Sequence, residues 1–230
     1  MRLDKYLHDM GFGSRREIDA LVKHRVVTVD GEVAKKSAMS VHEASVVVVS
    51  GEEVTYQEHV WLMMNKPKDT VTAVSDKTSA TVMDYLPERF ARMKVVPVGR
   101  LDKGTTGLLL FTNDGQMAHK LTSPKHEVAK TYDIIYEESL CDDAEVRIEE
   151  GLDLGDFTSA PARLERLGEG RARLAIREGK FHQVKRMMHE VGAVVVGLHR
   201  ISIGNLTLDA SLAEGAWRAL TAEEIEGLTK

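Results

Sequence analysis

Apolar positions in the first fifty residues recur first at helical and then at alternating spacing, which predicts a compact unit of two helices followed by strands. Leu3, Leu7 and Met10 fall on one helical face, and Gly11 and Gly13 interrupt it. Ser14 and Glu17 have the spacing of a capping box, in which each residue bonds the other's backbone amide, so a second helix opens there with Ile18, Leu21 and Val22 facing inward. Strand signals follow at residues 26–29 and 46–49, with a turn at Asp30-Gly31. The expected product is a short helix pair packed on a small sheet. Residues 51–60 are polar and acidic and read as a linker.

Beyond residue 60 the pattern changes. A strand-like run at 61–64 leads into Asn65-Lys66-Pro67, where the proline lacks the amide needed to continue a ladder. A short helix at 81–86 stops before Pro87. Further strands are predicted near 95–98, 108–111, 131–136, 171–176 and 194–203, and helices near 116–121, 143–150, 181–191 and 222–228. This alternation describes an α+β chain in which a small αα-β unit precedes a domain with a largely antiparallel mixed sheet flanked by helices. The boundary is expected at the end of the linker, giving domains 1–58 and 59–230.

Size and charge refine this picture. A chain of 230 residues can bury one good core with a small satellite. The net charge of −5 argues against a polyanionic partner as an average, but its distribution does not. Arg15, Arg16, Lys23, Arg25, Lys35 and Lys36 crowd the first forty residues, while acids gather at 52–58 and 142–150. The basic helix reads as a candidate nucleic-acid surface or as an ordinary solvated face. Cys141 is the only thiol, so no intrachain disulfide is possible, and a structural role in a reducing cytoplasm fits. Charges are interleaved with apolar residues in MRLDKYLHDM, which is no signal peptide, and no apolar run approaches the roughly 20 residues of a membrane helix.

The chemistry concentrates in a few segments. GRLDKGTTGLLLF, from Gly99, places Asp102 in a Gly- and Thr-rich turn between Arg100 and an apolar strand. A scaffolded turn can fix a carboxylate for catalysis, although Asp is also a common turn former. Gly99 and Gly104 have phosphate-loop separation, but such a loop needs Lys and then Ser or Thr after the second glycine, followed by a helix; here Thr105, Thr106 and a strand follow, which argues against ATP or GTP binding. In REGKFHQVKRMMH, Phe181, Val184, Met188 and Val191 form a core stripe at helical spacing and turn His182, Lys185, Arg186 and His189 to other faces. Lys185 lies at the stripe's edge, where partial burial calls for a carboxylate partner. His182 and His189 lack metal-ligand spacing, and Met63-Met64 and Met187-Met188 read as core. Tyr132 opens a strand and offers a planar face to a base or to the core. In VVVGLHRISIG, Leu198 and Arg200 are expected to share one strand face with Val196.

Together these segments resemble the pseudouridine synthases, in particular the branch that modifies small-subunit ribosomal RNA. The carriers are M-x-N-K-P ending at Pro67, G-R-L-D-x-x-T-x-G-L-L at 99–109, D-G-Q with T-S-P-K-H at 114–126, K-T-Y at 130–132, E-G-K-F-H-Q-V-K-R-M at 178–187 and L-H-R at 198–200. The first fifty residues resemble the small RNA-binding domain named after the fourth protein of the small ribosomal subunit, although residues 42–45 lack the Gly-Asp usual before its last strand. The resemblance implies that Asp102 is the catalytic carboxylate and Lys185 its basic partner. It implies that Tyr132 stacks on the target base and that Leu198 lines the pocket. The cations of the front unit, with Arg100 and Arg200, would bind RNA; the two latter arginines would touch phosphate or hold the turn. Neither cofactor nor metal is implied, because isomerisation of one uridine in 16S ribosomal RNA needs no redox or hydrolytic step. The expected partner is that RNA or an assembling small-subunit particle, met by a cytoplasmic monomer. The competing reading is a non-catalytic RNA-binding or ribosome-assembly factor, against which the presence of both Asp102 and Lys185 speaks.

Overall fold

The computed structural model describes residues 1–42 and 44–228, so Glu43, within the segment read as an atypical turn, lies outside the described residues. Contacts divide the chain into two units, one of residues 1–60 with 86–96 and one of residues 61–85 with 97 onward.

In the first unit α1 (Leu3–Asp9) and α2 (Arg15–Lys23) pack over a four-stranded antiparallel sheet of β1 (Val27–Val29), β2 (Glu32–Val33), β3 (Val47–Val49) and β4 (Glu52–Val54), in the order β2-β1-β3-β4. The capping box forms as the sequence requires, with Ser14 N donating to Glu17 Oε2 at 2.7 Å and Glu17 N to Ser14 Oγ at 3.4 Å. Leu3, Leu7, Ile18, Val27 and Val47 are fully buried and form the core. Part of the expected linker is instead strand β4. Ser50 and Gly51 both take positive φ, which suits a tight hairpin turn, and β4 exposes both glutamates while burying only Val54, so its polarity reads as linker. The short helix α3 (Glu88–Arg92) completes this unit. It lies so close to Gly11 that a β-carbon there would sit 2.4 Å from Arg89 O, which is why the chain break between α1 and α2 uses glycine.

The second unit is a mixed sheet in the order β13-β5-β7-β11-β8-β10-β9. Its strands are β5 (Trp61–Lys66), the short β6 (Val96–Pro97), β7 (Thr106–Thr112), β8 (Lys130–Glu137), β9 (Arg163–Gly168), β10 (Arg171–Ile176), β11 (Val194–Ile203), β12 (Leu206–Thr207) and β13 (Trp217–Ala219). Along that order, among the described residues, the β7–β11 pairing is parallel and the other five are antiparallel, so the expected largely antiparallel α+β architecture stands. Helices α4 (Gly115–Thr122), α5 (Ala144–Glu150), α6 (Gln183–Glu190) and α7 (Ala222–Gly227) flank it, and the predicted helix at 81–86 is a 3₁₀ turn, Val82–Tyr85. Strands β5 and β7 are buried along nearly their whole length, which explains their unbroken apolar runs. Each of Leu108, Leu109, Leu110 and Phe111 is 0% exposed, and burial of such a side chain contributes roughly 1.5–3 kcal/mol.

Two details differ from the sequence pattern, and both shape the cleft described below. His182 takes a left-handed backbone (φ 50°), so α6 begins only at Gln183 and Phe181 falls outside its period. Met187, not Phe181, joins Val184, Met188 and Val191 in the core, and Phe181 is 74% exposed. In β11 a bulge at Val196 inserts one residue against β8, which puts Val196 outside while Leu198 and Arg200 remain buried.

Candidate active site

The turn that carries Asp102 is pinned on both flanks. Its own closure is a bond from Thr105 N to Asp102 O at 3.0 Å. On one side the buried Thr72 hydroxyl donates to Leu101 O at 2.8 Å and accepts from Leu101 N at 3.2 Å. On the other, the wholly buried Lys66 ammonium donates to Pro67 O and Thr105 O, each at 2.9 Å, and to Lys103 O at 3.3 Å. Backbone on either side of Asp102 is thus fixed by side chains from the preceding strand and loop, and the carboxylate itself is left one-third exposed. Burial pushes the Lys66 ammonium down to about 8, against the attraction of Asp69, Asp102 and Glu214.

Helix α6 and the residue that caps its start supply the groups that face this carboxylate. Lys185 Nζ lies 3.9 Å from Asp102 Oδ2, and His182 Nε2 lies 3.6 Å from Asp102 Oδ1. The loop before the helix is held by the buried Gln183, whose amide donates to Glu178 at 2.6 Å and accepts from Lys180 N at 3.0 Å; Glu178 also accepts from Ala160 N at 2.8 Å. The sheet supplies the walls: Tyr132 on β8 is 7% exposed and Leu198 on β11 is 8% exposed. Strands β7 and β11 approach so closely that a β-carbon at Gly107 would lie 2.3 Å from Arg200 O. This brings the Asp102 turn, which leads into β7, beside Leu198.

A cleft of about 440 Å³ runs past Asp102, Tyr132, His182 and Phe181, and a recess of about 70 Å³ beside it adds Lys185 and Leu198 to the same carboxylate. Of the cleft's lining residues Asp102 alone is acidic, whereas Arg100, Lys103, Lys130, Lys180 and Arg200 are basic. A single carboxylate in a cationic, partly apolar cleft suits chemistry on a polyanion with a flat ring.

Residues 60–190 match the family model described as RNA pseudouridylate synthase, which covers more than half of the chain. The chain belongs to that family. Residues 1–47 match the S4 domain. An uncharacterized RNA pseudouridine synthase of Bacillus subtilis is 43% identical over 100% of this chain and 99% of its own length. The proteins of Vibrio cholerae and Escherichia coli K12 named ribosomal small subunit pseudouridine synthase A are each 41% identical, over 100% and 98% of this chain and the same shares of their own lengths. A crystal structure of a pseudouridylate synthase superposes with a TM-score of 0.70 at 35% identity, covering 99% of both chains.

Four residues singled out in the sequence, Asp102, Tyr132, Lys185 and Leu198, line the one recess. Arg100 is exposed at its edge. Arg200 lines the cleft, where it is 3% exposed; its Nε donates to Leu108 O at 2.8 Å on the neighbouring strand, and its Nη2 is buried without a hydrogen-bond partner. Arg15, Arg16, Lys23, Arg25, Lys35 and Lys36 are exposed in the first unit. There Ser37 bonds Asp19 of α2, so the Lys35-Lys36 loop lies against the helix face where Asp19 sits among Arg15, Arg16 and Lys23 at one-turn spacing. Sequence reasoning missed Thr72, Lys66 as an anchor and His182 as a neighbour of Asp102. The N-K-P motif was a signal for Lys66; for Thr72 no local signal exists.

Proposed function

We propose that this synthase isomerises one uridine of small-subunit ribosomal RNA to pseudouridine, with Asp102 as its catalytic carboxylate. The observation that carries the proposal is the Asp102–Lys185 separation of 3.9 Å inside a recess walled by Tyr132 and Leu198. The full-length relatives named for the small ribosomal subunit support the choice of substrate. The target nucleotide leaves its stack to enter the cleft, and Tyr132 and Leu198 replace the stacking it gives up. Asp102 then attacks the anomeric ribose carbon or takes a ribose proton. The bond from that carbon to N1 of uracil breaks, the base turns, a bond to C5 forms, and the C5 proton is released as N1 gains one. Lys185 is the cation that faces the Asp102 carboxylate, 3.9 Å away, beside these apolar walls. Substrate and product have the same atoms, so no water is consumed.

The chain divides its labour between an RNA-gripping region, residues 1–58, and a catalytic region, residues 59–230, and acts as a cytoplasmic monomer. Among the described residues no helix is long and apolar enough to cross a membrane. A pseudouridine map of ribosomal RNA from cells with and without the protein tests the substrate: one small-subunit position is expected to revert to uridine, and an unchanged map would overturn the proposal. The front cations are tested by salt. Replacing Arg15, Arg16 and Lys23 with Gln removes up to three phosphate contacts, so the slope of log Kd against log salt is expected to flatten by about 2–3. An unchanged slope would remove α2 from the interface.

A further inference from the structure

Phe181 is the most exposed large apolar side chain among the described residues, at 74%, and it lines the same cleft as Asp102. It is nevertheless ordered against a partner. Its ring lies 3.8 Å from that of His182, centroid to centroid, at an interplanar angle of 17°. His182 in turn reaches within 3.6 Å of the Asp102 carboxylate. The left-handed backbone of His182 is one that a residue with a β-carbon adopts at a cost, and it is what turns Phe181 out of the α6 core and along the cleft. One face of the phenyl ring is thus covered by imidazole, and the other is presented to solvent at the edge of a cleft with five basic residues and one acid.

We propose that Phe181 is a stacking platform for the nucleobase that neighbours the target uridine in the RNA chain. This rests on the reading of the recess beside Asp102 as the place where the target uridine enters. A nucleotide drawn into the recess leaves the adjacent base without a stacking partner on that side, and a flat aromatic face two contacts from the carboxylate restores one. The base, Phe181 and His182 then form a three-layer stack whose last member touches Asp102, so the platform also sets how far the target can enter. Stacking on a π-face is tolerant of base identity, so the platform contributes affinity and register rather than sequence preference. The cationic lining favours the phosphates on either side.

The test uses the full chain and a single-stranded fragment of small-subunit ribosomal RNA centred on the mapped uridine, with its neighbours intact or made abasic one at a time. Phe181→Ala and Phe181→Leu are expected to weaken binding of the intact fragment about tenfold, and Phe181→Tyr and Phe181→Trp to restore it. With one particular neighbour abasic, wild type and Phe181→Ala are expected to bind alike. Equal binding by Leu and Phe, or a Phe181→Ala effect that survives both abasic replacements, would overturn the platform. If no uridine is found, the platform falls with the substrate reading. Asp102→Asn in the same assay separates the two ideas: a loss of coupling with Asp102 still essential sinks only the platform, and retained turnover with coupling intact sinks only the role of Asp102.

Discussion

Asp102→Asn is expected to lower single-turnover formation of pseudouridine by at least about 10⁴-fold while leaving RNA affinity within about twofold, since removal of a sole covalent or proton-abstracting group costs on that order. Asparagine has the same shape and the turn's bonds are backbone bonds, so Leu101, Thr105 and Lys66 hold their positions. What disappears is the negative charge between His182 and Lys185 and with it the nucleophile or base. Pseudouridine is counted in the small-subunit fragment after one turnover, alongside a binding titration. A rate within tenfold of wild type would show that the chemistry runs through another group.

Lys66→Met is expected to damage both stability and turnover, for a reason the carboxylate variant does not share. The ammonium satisfies three carbonyls, and losing a partner costs roughly 1–3 kcal/mol for each buried one. It also frees one flank of the Asp102 turn, and misplacing a reacting group by an ångström lowers the rate on the order of 10²-fold. RNA affinity is expected to hold, because Lys66 is wholly buried. The stability difference depends on pH with a definite sign. Burial lowers the folded ammonium to about 8 from an ordinary 10.5, so between those values the unfolded chain holds the extra proton and wild-type stability rises with pH. Lys66→Met lacks this group, so wild type gains on it by about 3 kcal/mol across that window. Urea midpoints of the two proteins at pH 7.5 and 10 measure most of that gain; a constant difference would contradict the assigned burial.

What was legible in the sequence were features whose cause is local. The Ser14–Glu17 box, the α2 face and the long apolar strands each follow from residues within a few positions of one another, and each forms. Motif resemblance reached further, because Asp102 and Lys185 were paired by it while 83 positions apart in the chain, and the fold closes that distance to 3.9 Å. Misreadings came where a period was extended past a local break. The helical stripe was run through His182, whose left-handed backbone excludes Phe181, and strict alternation was run through a bulge that turns Val196 outward.

By itself, then, the chain's order of residues determined its elements, its basic front helix and the carboxylate on its turn, since helix caps, strand runs and turn chemistry act over a few bonds. Only the tertiary structure decided that Lys66 and Thr72 clamp that turn, that His182 joins Lys185 beside Asp102, and that Arg200 commits its Nε to a strand carbonyl. Those are contacts between backbone groups and side chains brought together by sheet pairing. A buried ammonium or hydroxyl is placed by the carbonyls left to satisfy after the strands have met, and those acceptors have no counterpart in the residue types along the chain.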